Sequence, residues 1–79
     1  MQKIYFVRAE WDDEAKVWVA TSDDVPGLAT EAETMEELSK KLEVMIHELL
    51  TENCYLDAGE ISYEVLARKF SINQATAVS

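Results

Sequence analysis

The fold of this chain is decided by residues 17–38, VWVATSDDVPGLATEAETMEEL. The segment predicts a buried strand, a Pro-Gly turn, a short second strand and the start of a helix. Pro26 presets φ at about −65°, and Gly27 can take the positive φ of a type II turn. Thr34 can cap the helix, and Glu37 can complete a capping box. The segment contains no reactive group, so it predicts a compact topology rather than a catalytic centre.

A hairpin is predicted before this turn. Lys3–Trp11 and Lys16–Ser22 are rich in aromatic and β-branched residues, and a short acidic loop separates them. In the second of these strands Val17 and Val19 alternate with Trp18 and Ala20, so both faces carry bulky side chains. One helix can cover only one face of such a sheet. The other face is therefore expected to receive a partner or a second copy.

The remaining elements follow the turn in the order strand, helix, strand. Leu28–Glu33 predicts a short third strand, residues 35–53 have the 3.6-residue period of a helix, and Ile61–Ile72 alternates as a fourth strand. The predicted apolar stripe of the helix comprises Met35, Leu38, Leu42, Met45, Ile46, Leu49 and Leu50. We therefore expect an α+β fold of order β-β-β-α-β, with the helix on one face of a single sheet. Residues 1–72 form the expected single domain and 73–79 a flexible C-terminal tail.

Composition limits the possible partners. The chain has 79 residues, of which 48% are hydrophobic, and sixteen acidic against seven basic residues give a net charge of −9. Direct binding to nucleic acid is not expected, because phosphates require clustered Lys and Arg. The acidity favours a basic protein partner or serves only to keep the protein soluble. The sequence shows no signal peptide or apolar span, so we expect a cytoplasmic protein with no membrane association.

Few residues could carry chemistry. Cys54 is the only cysteine, and the only histidine, His47, falls on the solvent side of the helix. The remaining candidates are turn carboxylates, which usually form Asx turns rather than metal sites. These carboxylates are Asp12, Asp13, Glu14, Asp23 and Asp24. We expect no enzyme activity, no metal and no cofactor.

The pattern strand, Asp-x-Pro-Gly-Leu, strand, Thr-x-x-Glu-Leu resembles the HicB-like antitoxins. The matching residues are Trp18, Ala20, Ser22, Asp24, Pro26, Gly27, Leu28, Glu31, Ala32, Thr34 and Leu38. The resemblance implies a partial ribonuclease H-like fold without nuclease activity. It also implies a bacterial or archaeal protein that masks a small basic toxin that cleaves mRNA. Many HicB proteins continue into a DNA-binding segment. None is visible here, so operator binding is not implied.

The leading functional hypothesis is therefore a non-catalytic, antitoxin-like binding domain that occludes a basic ribonuclease. Asp23, Asp24, Glu31 and Glu33 are the predicted partner-binding residues. A stand-alone oligomeric domain is the first alternative. A metal-dependent nuclease with a reduced ribonuclease H-like site that uses turn carboxylates is the second. A homodimer is expected under all three hypotheses, formed through either the open sheet face or an edge strand.

Overall fold

The protein has one four-stranded sheet and one helix, in the predicted order. The structure is a computed structural model that describes residues 3–53 and 60–71. Its elements are β1 (Ile4–Asp12), β2 (Val17–Thr21), β3 (Ala29–Ala32), α1 (Met35–Asn53) and β4 (Ser62–Arg68). The predicted α+β class, the element order and the helix bounds are confirmed. Cys54, Gly59 and the predicted tail 73–79 lie outside the described residues.

The sheet is mixed and has the strand order β3-β2-β1-β4. β2 pairs antiparallel with both β1 and β3. β4 returns after the helix and pairs parallel with β1, with Val65 opposite Val7. The two edges of the sheet are therefore β3, with four residues, and β4, with seven.

One layer of apolar side chains joins α1 to the sheet. Leu38, Leu42, Ile46 and Leu50 recur every fourth residue and are at most 1% exposed. A helix presents such residues on one face, so the predicted apolar stripe is confirmed as the core of the domain. His47 lies on the exposed side of α1, as predicted. The sheet contributes the buried residues Val7, Ala9, Ala20 and Ala32.

The Pro-Gly turn has the predicted geometry. Gly27 has a φ of +80°, and the Leu28 N–H donates to the Val25 carbonyl at 3.2 Å, which are the features of a type II turn. Val25 and Leu28 on either side of the turn are buried in the core. The turn therefore fixes the direction of β3 and also anchors the loop before it.

Thr34 caps α1 as predicted. Its Oγ1 accepts the Glu37 N–H at 3.1 Å. Among the described residues the Glu37 carboxylate does not accept the backbone N–H of Thr34, so only one of the two hydrogen bonds of the predicted capping box is present. The helix begins at Met35, directly after this cap.

Two predicted strands were too long. Leu28 belongs to the turn rather than to β3, because its N–H bonds back to Val25. The fourth strand ends at Arg68 rather than at residue 72, so Phe70 is not a strand residue. The parallel pairing of β4 with β1 stops at the pair of Glu10 with Arg68, two residues before β1 ends at Asp12 and turns into its hairpin.

Candidate protein-binding surface

The side of the sheet away from α1 forms a continuous surface, here called the open face. Val7 and Ala9 are buried on the helix side, so their neighbours in β1 point to the opposite side. The register extends this alternation to the other three strands. The residues of the open face are Ile4, Phe6, Arg8, Glu10, Asp12, Val17, Val19, Thr21, Ala29, Glu31, Ser62, Glu64, Leu66 and Arg68.

Large apolar side chains are exposed on the open face. Ile4 is 61% exposed, Phe6 39% and Leu66 54%. Phe6 and Leu66 border a shallow cleft of about 210 Å³ between β1 and β4. Exposed apolar groups that share one sheet face indicate a contact surface. The prediction that one helix leaves the second face uncovered is confirmed for the part of the chain that the structure describes.

Both arginines of this acidic chain lie on the open face. Arg8 is in β1 and Arg68 is in β4, opposite Glu10. The Arg8 guanidinium contacts the Asp23 carboxylate at 3.2 Å. Asp23 remains exposed, with a side-chain exposure of 89%, so this pair is a surface contact of low energy.

The four acids predicted to bind a partner have different environments. Asp23, Glu31 and Glu33 are exposed, and we call these three residues the acidic margin. Glu31 lies on the open face in β3, and Glu33 follows that strand. Asp24 is half-buried, and its carboxylate accepts the Phe6 N–H at 2.8 Å. Asp24 therefore holds the loop in place, whereas the carboxylates of the acidic margin remain exposed, that of Asp23 while it is paired with Arg8.

Ser22 supports the same loop. Its Oγ accepts the N–H groups of Asp24 and Val25, at 3.0 and 3.1 Å, and donates to the Phe6 carbonyl. The side chains of Ser22 and Asp24 thus satisfy both backbone groups of Phe6 beyond the end of β2. In the sequence, Ser22 stood out only as part of the family pattern. The Ser-x-Asp spacing before the turn is the signal that indicates its role.

The acids of the first hairpin have local structural roles. The Asp12 carboxylate accepts the N–H groups of Glu14 and Ala15, at 3.0 and 3.2 Å, which is the expected Asx turn. Lys16 and the Trp11 indole N–H both donate to the Asp13 carboxylate. These bonds hold the pKa of Asp13 below its usual value, with the Lys16 bond as the larger cause.

An aromatic pair lies beside this hairpin. Trp11 and Trp18 face each other across β1 and β2, with ring centroids 5.4 Å apart in an edge-to-face arrangement. The Lys69 ammonium lies 5.1 Å from the centroid of the Trp11 ring. These contacts brace the end of the sheet at which the hairpin turns.

Two kinds of site are absent from residues 3–53 and 60–71. No three His, Cys, Asp or Glu side chains are grouped so that they could hold a metal ion. No helix in these ranges has the length and apolar character needed to cross a bilayer.

The chain resembles known sequences and structures over nearly its full length. It matches the family described as "Domain of unknown function (DUF1902)" over residues 4–75. A crystal structure of the hypothetical protein TTHA1013 from the extremely thermophilic bacterium Thermus thermophilus is 51% identical. The match has a TM-score of 0.69 and covers 92% of this chain and 100% of that chain. No curated protein matches this chain. The family match covers most of the sequence, and the chain therefore belongs to the DUF1902 family.

Proposed function

We propose that this DUF1902 chain is a HicB-like antitoxin, a non-catalytic domain that binds and masks a small basic ribonuclease toxin. The observation that carries the proposal is the acidic margin of a chain of net charge −9, in which Glu31 lies beside the apolar side chains of Val19 and Ala29 on the open face. A basic toxin supplies the complementary charge, and the open face supplies apolar side chains for a contact that excludes water.

The proposed toxin-binding area is the half of the open face that β2 and β3 form. Val19, Ala29 and Glu31 border a shallow groove of about 250 Å³ on this half. The groove has an apolar floor and a carboxylate at its edge. A partner's Lys or Arg could pair with that carboxylate while its apolar stem lies in the groove.

The proposed mechanism is steric occlusion assisted by charge. Exposed acids increase the rate of encounter with a basic partner more than they increase the lifetime of the complex. The acidic margin is thus expected to attract the toxin, and apolar contacts retain it. Asp24 would act indirectly, because its bond to Phe6 shapes the loop that carries Asp23.

The test is co-expression with the product of the adjacent reading frame, where that product is a small basic protein. We expect rescue of growth and a complex that co-purifies. Glu31→Lys with Glu33→Lys should slow association by about tenfold at low salt, because both residues reverse charge at the proposed site. Glu48→Lys with Glu52→Lys is the matched control, since it makes the same charge change on exposed positions of α1.

Two results would contradict the proposal. The first is the absence of both a complex and growth rescue with the wild-type chain. The second is an equal loss of association rate in the control pair, because the effect would then reflect net charge alone rather than the β2–β3 half of the open face.

A further inference from the structure

The outer edge of β4 carries backbone groups that point away from the sheet. The Phe6 N–H and carbonyl point toward the β2 side, where Asp24 and Ser22 bind them. The backbone N–H and carbonyl of successive strand residues point to opposite edges of the strand, so those of Val7 point toward β4. Val7 lies opposite Val65 in a parallel ladder, where it bonds to the residues before and after Val65. Val65 therefore directs its own N–H and carbonyl outward.

By the same alternation, the backbone N–H and carbonyl groups of Tyr63 and Ala67 also point away from the sheet. In the part of the chain that the structure describes, no side chain hydrogen-bonds to these outer groups. The opposite edge differs, because the Lys41 ammonium donates to the outward Glu31 carbonyl of β3 at 2.6 Å. A long edge strand with apolar residues and unprotected backbone groups is a site for pairing with another strand.

We propose that β4 pairs antiparallel with β4 of a second copy, about a two-fold axis at Leu66. This register places Glu64 of each copy opposite Arg68 of the other, and Leu66 opposite Leu66. Val65 then faces Ala67 of the other copy, and both residues direct their backbone groups outward, as an antiparallel bonded pair requires.

Charge and backbone direction together select the second copy and this register. A slip by one residue would pair outward-pointing backbone groups with inward-pointing ones. A slip by two would place Leu66 opposite either Glu64 or Arg68 and leave the charges unpaired. Strand β4 is thus complementary to itself, with an acid and a base at equal distances on either side of Leu66.

The resulting sheet has eight strands, four from each copy. Phe6 lies beside β4 on the open face, so the apolar areas of the two copies would join into one band. The proposed toxin-binding half, with β2 and β3, lies at the other side of the sheet. Dimer formation and toxin binding therefore use separate surfaces, and either proposal can fail without the other.

Disulfide trapping tests the register in the full chain with Cys54→Ser, which removes the native thiol. Leu66→Cys should form a covalent dimer under mild oxidation, because residues opposite each other in a non-hydrogen-bonded pair have Cα atoms about 4.5 Å apart. Glu64→Cys is the matched control. The two cysteines at position 64 would lie four residues, or about 14 Å, apart along the paired strands and should remain unlinked.

Charge exchange tests the pairing without cysteine. In sedimentation experiments, Glu64→Arg alone should raise the dimer dissociation constant by about tenfold, because it creates two like-charge pairs. Adding Arg68→Glu should restore the wild-type value. Glu31→Arg makes the same charge change at the other edge of the open face and should leave the constant unchanged.

A monomer at all concentrations up to about 1 mM would overturn the proposal. Equal trapping of Leu66→Cys and Glu64→Cys would also overturn it. The proposal would also be overturned if Glu31→Arg raised the dimer dissociation constant and Glu64→Arg left it unchanged. That result would indicate association through the β2–β3 half. Circular dichroism of each variant separates loss of pairing from loss of folding.

Discussion

The adjacent residues Asp23 and Asp24 allow a direct test of how the loop before the Pro-Gly turn is held. Asp24→Ala removes the carboxylate that accepts the Phe6 N–H at 2.8 Å. A hydrogen bond to a charged acceptor contributes about 1.5–3 kcal/mol, and water reaches this bond, so we expect a loss of about 1 kcal/mol in the free energy of unfolding. Asp23→Ala breaks only the exposed pair with Arg8, and we expect a loss of at most about 0.5 kcal/mol.

Thermal unfolding followed by circular dichroism can separate these values. In a domain of this size, 1 kcal/mol lowers Tm by about 4–8 °C, so Asp23→Ala should lower it by at most half as much, about 2–4 °C. Asp24→Asn retains an oxygen acceptor and should lie between Asp24→Ala and the wild type. Equal Tm values for Asp23→Ala and Asp24→Ala would refute the reasoning, because the bond to Phe6 would then contribute no more than a surface ion pair.

Other positions give expectations that denaturant unfolding or titration can check. Gly27→Ala should cost about 1 kcal/mol through its positive φ alone, since the added Cβ would meet Leu49 at an ordinary 3.7 Å; Gly27→Asn should cost less. Thr34→Ala should cost about 1 kcal/mol through loss of the helix cap, and an unchanged stability would contradict that role. Leu42→Ala, in the middle of the core, should cost about 2–5 kcal/mol. Burial raises the pKa of the Tyr63 hydroxyl, and the Glu43 charge has a smaller effect in the same direction. The contribution of Tyr63 to the free energy of unfolding is therefore fully present below the pKa of the unfolded state, and it is lost as pH rises through the pKa of the folded state. Glu43→Gln should shift the ultraviolet titration of Tyr63 toward lower pH, and no shift would exclude that charge as a cause.

Local patterns were sufficient to predict the turn and the helix. Gly27, Thr34 and the apolar stripe of α1 each depend on neighbours within a few residues, and the structure confirms all three features. The ends of β3 and β4 were less predictable. The end of a strand depends on which residues of its partner it meets, and the pairing of β4 with β1 joins segments that are far apart in the sequence.

The candidate site likewise has one feature that depends on near neighbours in the sequence and one that depends on a distant residue. Alternation in β2 indicated that one sheet face would stay open, because that inference needs only the period of a strand. The role of Asp24 could not be predicted this way. Its hydrogen-bond partner, Phe6, lies 18 residues earlier, and a carboxylate before a turn has the same local pattern whether it binds backbone or faces solvent.

The bond between Lys41 and the Glu31 carbonyl has a consequence for concentrated solutions of this protein. A molecule that can accept a neighbouring strand on both sides would extend into a fibre, whereas one blocked on a single side can add only one neighbour. Loss of the ammonium in Lys41→Ala would unblock that side. Light scattering at rising concentration should then detect growth of long aggregates, which the wild-type chain is expected to resist.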